Sequence, residues 1–106
     1  MIDRRQHITS VLIDILREIE RADSLHPAYN SAHEGYAMIA EEVDELWEEV
    51  RKRDHDSLLM RLEAVQVATT AVRFIMDICD KGKVDGNNDT DNEEKQLRLL
   101  YPEGSK

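Results

Sequence analysis

The sequence predicts an all-α protein. Apolar residues recur in steps of three and four along most of the chain, no stretch alternates as a strand would, and the interruption at Pro27 falls between two periodic runs. A chain of 106 residues allows one domain at most. So short a chain buries a smaller fraction of its surface than larger proteins do, so its core is expected to be completed by a partner subunit.

The first helix is expected over roughly residues 3 to 22, because Ile8, Val11, Leu12, Ile15, Leu16 and Ile19 make a single face. "SLHPAYNSAHE" then breaks the pattern. Pro27 disfavours helical geometry at His26, and Asn30 and Ser31 prefer turns and caps. Ser31 and Glu34 stand in the relation of a capping box, which places the start of the second helix near Ala32. Along it Tyr36, Ile39, Val43, Leu46, Trp47 and Val50 form one apolar stripe, with Trp47 expected in the core or a subunit interface.

The third helix, from about Ser57 to Asp80, is apolar around most of its circumference, which predicts burial on nearly all sides. One narrow polar strip survives on it. At 100° per residue Glu63, Gln66, Thr70, Arg73 and Asp77 fall within about 80° of one another, so that strip must face something polar. Residues 1–80 therefore read as the folded domain. Residues 81–106 read as a flexible acidic linker, mobile from Asp80 to Asn92, and a short C-terminal segment. Its cluster Leu97, Leu99, Leu100 and Tyr101 either forms a short docking helix or stays loose.

Charge narrows the function classes. With 23 acidic against 14 basic residues the net charge is −9, and a phosphate backbone would be repelled, so no nucleic-acid partner is expected. No apolar run approaches the ~20 residues needed to span a bilayer, so no membrane role is expected. The single cysteine, Cys79, cannot form an internal disulfide, and the N-terminal "MIDRRQHITS" lacks the apolar region of a secretory signal; together these predict a cytoplasmic protein.

The second helix carries "EEVDELWEEV", six carboxylates in the nine positions from Glu41 to Glu49. Glu41 and Glu42 lie four and three residues from Glu45, so these acids are neighbours on the helix surface, and each like-charge pair costs a few tenths of a kcal/mol. A solvated acidic face balanced by Arg51, Lys52 and Arg53 is one account. Glu63 supports another. It stands on a helix that is otherwise almost wholly apolar, and a buried glutamate must be paired, protonated or bound to a metal. Paired carboxylates facing a lone one suit a hard cation such as Mg²⁺, which takes oxygen ligands at about 2.1 Å and keeps waters that a substrate phosphate can replace.

"EEVDE", followed eighteen residues later by "EAVQ", resembles the E-E-x-x-E and E-x-x-D signature of the MazG-like, all-α nucleoside triphosphate pyrophosphohydrolases. The resemblance covers roughly residues 31 to 80. It implies Mg²⁺-dependent hydrolysis of a nucleoside triphosphate to the monophosphate and pyrophosphate, Mn²⁺ being the other ion that suits the site. Carried over by position, Glu41, Glu42, Glu45 and Glu63 would hold the metal, with Glu41, Glu42 and Glu45 also taking part in catalysis. The resemblance also implies an all-α helical bundle of the MazG-like type, its four-helix core completed by oligomerisation into a dimer or tetramer. Gln66 departs from the pattern: it stands where the family has an aspartate, and would offer the metal an amide oxygen without charge. The alternative is a catalytically silent relative acting as a nucleotide-binding or helical interaction module. His33 and Asn30, close to the start of the acidic helix, are candidates for contacting the substrate.

Overall fold

Side-chain caps start the first three helices of the computed structural model, which describes residues 2–81 and 90–101. Helix α1 (Arg4–Leu25) opens on a complete capping box: Asp3 Oδ1 accepts from the Gln6 N–H at 2.9 Å, and Gln6 Oε1 accepts from the Asp3 N–H at 3.0 Å. It runs past the end of its periodic face because Pro27 constrains only His26, which is extended (φ −133°, ψ 143°) and closes the helix. Helix α2 (Ala32–Val50) is capped by Ser31, whose hydroxyl accepts from the Glu34 N–H at 3.1 Å. Only this half of the expected box forms, since the Glu34 carboxylate accepts instead from the Asn30 N–H, also at 3.1 Å. Helix α3 (Ser57–Phe74) is capped by Asp56, which accepts from the N–H groups of Leu58 and Leu59.

A π-helical turn, Ile75–Cys79, continues α3, and the Asp80 N–H closes it on the Ile75 carbonyl at 2.8 Å. Helix α4 (Thr90–Leu100) makes the architecture four helices, with no strand among the described residues. The expected linker therefore ends earlier than Asn92, and its residues 82–89 lie outside the described ones. Leu97, Leu99, Leu100 and Tyr101 are all exposed, so α4 forms without burying its apolar residues. No described helix is long and apolar enough to cross a membrane.

Helix α3 packs against both α1 and α2. The expectation that its apolar circumference is buried does not hold in the single chain. Its buried residues are Thr69, Thr70 and Arg73, whereas Leu58 is 63% and Leu62 53% exposed. What α3 buries most deeply is polar: Thr70 and Arg73 belong to the strip and Thr69 adjoins it, and from Gln66 to Asp77 the strip turns to α1 and to the loop between α1 and α2, while Glu63 faces α2. Gln66 Nε2 donates to Glu18 Oε2 of α1 at 2.6 Å. The Arg73 guanidinium pairs with Asp23 at 2.9 Å and donates to the carbonyls of His26 and Pro27. Asp77, carried by the π turn, accepts from the Tyr29 N–H at 3.1 Å. These contacts tie down the loop and set the Tyr29 ring 5.0 Å from the Arg73 guanidinium.

Gly35 is where α2 comes closest to this assembly. A Cβ built there would sit 2.6 Å from Phe74 Cδ2 and 3.1 Å from Tyr29 Cδ2, so the helix approaches only because the side chain is absent. Among the described residues Ala22 and Tyr29 are the only buried apolar ones. The apolar stripes divide accordingly: Val11, Ile15 and Ile19 of α1 are part-buried, while Ile8, Leu12 and Leu16 are exposed. On α2, Ile39 and Leu46 are part-buried, and Tyr36, Val43 and Trp47 are exposed.

Candidate metal centre and adjoining cavity

Two helices bring three carboxylates together. Glu42 and Glu45, one turn apart on α2, face Glu63 of α3, and each offers an oxygen within 4.8 Å of the other two. No ion pair joins any of the three among the described residues. The Glu42 carboxyl is pushed up to about 7, first by burial and then by the adjoining Glu45, with Glu63 and Glu41 adding to it. Burial also raises Glu63, helped by the charges of Glu45 and Glu49. Glu42 Oε2 is buried without a hydrogen-bond partner. The donor set fits a hard divalent cation: oxygens around one octahedral ion at ~2.1 Å stand about 3.0 Å apart when adjacent and about 4.2 Å when opposite, so a small contraction closes the triad on a metal.

The other acids of the run behave differently. Glu48 pairs with Arg51 at 3.1 Å and Glu49 with Lys52 at 2.9 Å, so both are balanced by a base, Glu48 on a solvated face and Glu49 part-buried. Glu41 is exposed and stands outside the triad. Gln66 is taken up by Glu18, whose carboxylate is held below its usual range, first by Arg21 and further by Gln66 itself. An ionised acceptor requires the amide N–H at that contact. Arg73, a conceivable partner for Glu63, belongs to Asp23.

The candidate substrate contacts lie elsewhere. Asn30 is exposed, and both its backbone N–H and its side-chain amide engage the Glu34 carboxylate. His33 is exposed and lines a shallow apolar depression with Ala32, Tyr36 and Phe74. Neither is brought to the triad.

A cavity of about 250 Å³ opens beside the triad, with Glu42 in its wall. Glu18, Gln66 and Arg73 line it together with Tyr29, Thr69 and Thr70. Glu18 carried no signal in the sequence, since its partner is 48 residues away. The Thr69–Thr70 pair did: two hydroxyls on a helix otherwise apolar at most positions. Thr70 turns its hydroxyl back to the carbonyls of Gln66 and Val67, while that of Thr69 has no partner.

Comparison with known proteins found no matching family model, no matching curated protein and no matching solved structure.

Proposed function

We propose that the protein hydrolyses a nucleoside triphosphate to the monophosphate and pyrophosphate, with Mg²⁺ or Mn²⁺ held by Glu42, Glu45 and Glu63. The observation that carries this reading is the convergence of three carboxylates from two helices, none of them in an ion pair among the described residues. Such a cluster raises the energy of the metal-free fold, and a divalent cation offsets that cost. The resemblance of "EEVDE" and "EAVQ" to the MazG-like signature supports the choice of phosphate chemistry. The bound cation would neutralise charge on the triphosphate and bring the pKa of a bound water towards neutrality. Glu41, exposed and adjacent in sequence to Glu42, is the proton acceptor in this reading.

The working form is a homo-oligomer, dimer or tetramer, acting in the cytoplasm. Its support is the exposure of Leu12, Leu16, Trp47 and Leu62, with Ala22 and Tyr29 the only buried apolar side chains among the described residues. The deciding experiment is an assay of pyrophosphate release from the common ribo- and deoxyribonucleoside triphosphates, with and without Mg²⁺. Metal-dependent release from at least one of them, lost in Glu63→Gln, is the expected result. Absence of release from every nucleotide refutes the reading.

One observation favours a second reading, a silent relative that binds nucleotide without cleaving it. Gln66 is committed to Glu18, leaving the metal with three carboxylates where the resembled family has a further acid. Nucleotide binding without pyrophosphate release selects this alternative.

A further inference from the structure

The cavity beside the carboxylates is walled by polar groups that neither capping nor helix packing uses. Tyr29 and Thr69 are 6% and 1% exposed, and neither hydroxyl has a hydrogen-bond partner. Tyr29 comes from the loop and Thr69 from α3, while the third lining residue with an unpaired buried oxygen, Glu42, comes from α2. A buried polar group without a partner is costly, and three of them from separate elements concentrate that cost around one space. Ala22, Pro27 and Met38 supply apolar wall between them. Apolar walls with a few unpaired polar groups are the make-up of a small-molecule site.

Size and rigidity limit what enters. At about 250 Å³ the cavity lies just below the ~300–1,000 Å³ usual for sites that hold drug-sized ligands, so it suits one ring system rather than a whole nucleotide. Its walls are preformed: Gln66 ties α3 to α1 through Glu18, and Arg73 and Asp77 hold the loop that carries Tyr29. Glu42 belongs both to the cavity and to the carboxylate triad, so a ligand with a ring at one end and an anionic chain at the other spans the two.

We propose that this cavity binds the base of the nucleotide, a flat heteroaromatic ring with donors and acceptors on its edge, and that the hydroxyls of Tyr29 and Thr69 read that edge. The identity of the ring rests on the hydrolase reading above. The cavity and its unpaired groups do not. Each hydroxyl can donate or accept, so the pair serves a ring edge that offers both kinds of group.

The test uses the full chain without metal, titrated with the common ribo- and deoxyribonucleosides, which carry no phosphate, and followed by calorimetry and by NMR line broadening. Tyr29→Phe and Thr69→Val each remove one oxygen at nearly constant shape. The proposal expects at least one nucleoside to bind and each variant to weaken it about 3- to 10-fold. It also expects the melting temperature of the ligand-free variants to hold or rise, because an unpaired buried oxygen has been deleted. Saturable nucleoside binding that both variants weaken, in a protein that releases no pyrophosphate, supports the pocket while the hydrolase reading falls. Metal-dependent pyrophosphate release without any nucleoside binding overturns the pocket and leaves that reading standing. Ligand-free variants that melt lower, with no nucleoside bound, show that the hydroxyls serve water or the fold only, and this too overturns the proposal.

Discussion

Gln66 Nε2 and Glu18 Oε2 lie 2.6 Å apart, a charge-assisted hydrogen bond joining the middle of α3 to the second half of α1. The residue that departs from the resembled metal motif is thereby a structural link. A Gln66→Asp change has two opposed effects: it adds a carboxylate near the metal site and sets it against an ionised Glu18. We expect Gln66→Asp to lower metal-free stability by about 2 kcal/mol, the worth of a hydrogen bond to a charged group. Glu18→Gln in the same chain should restore most of that loss by reversing the donor and acceptor. Denaturant melts of the two singles and the double decide it, and additive losses would contradict the link. If the metal reading holds, Gln66→Asp should also bind Mg²⁺ more tightly.

Glu63→Gln removes one of three converging charges. The metal-free protein should become more stable or stay level, since no cation is left unpaired by the change. Mg²⁺ affinity should fall roughly tenfold or more. The opposite sign in the melts, a loss of about 3 kcal/mol, is what a buried ion pair would give.

Stability of the metal-free protein should depend on pH in the sense opposite to that of ordinary acid denaturation. Glu42 has its carboxyl raised to about 7 from the ordinary 4.5 of a glutamate, so between these values the folded state holds a proton that the unfolded state has released. That contribution is fully present below about 4.5 and is lost as pH rises through about 7. Mg²⁺ must displace the same proton, so its affinity should climb by up to about tenfold per pH unit below 7 and level off above it. Urea melts and magnesium titrations between about pH 5 and about pH 8 measure both slopes.

Gly35→Ala should destabilise the protein despite the better helix propensity of alanine. The gain of about 1 kcal/mol from replacing a helical glycine is outweighed by overpacking of about 1–3 kcal/mol, because the new methyl meets the Phe74 ring at 2.6 Å. A Phe74→Leu change in the same chain should recover part of the loss, and thermal melts report it.

Trp47 is 57% exposed on an apolar stripe. If a second copy covers that stripe, Trp47→Glu should shift the protein towards monomer in light scattering, and the wild-type tryptophan emission should redshift on dilution. A wild-type protein that is monomeric at micromolar concentration, taken as ~1–10 μM, would rule out the oligomer.

The sequence by itself determined the helices. Periodicity, the proline at residue 27 and the Ser31 cap depend on neighbours within a few residues, and the structure agrees to within a few residues at their ends. It also determined that α3 carries a strip which must meet polar groups, since 100° per residue is a local rule. Which groups those are was not legible. The partners of Gln66 and Arg73 lie 48 and 50 residues away, and only the packing of α3 against α1 brings Glu18 and Asp23 within reach. Packing likewise separated the acidic run into Glu48 and Glu49, each paired with a base, and Glu42 and Glu45, turned towards Glu63. The apolar circumference of α3 stays uncovered within the single chain for a related reason. A hydrophobic pattern shows that a surface needs covering, whereas whether this chain or another one covers it depends on how many helices the chain can place around it.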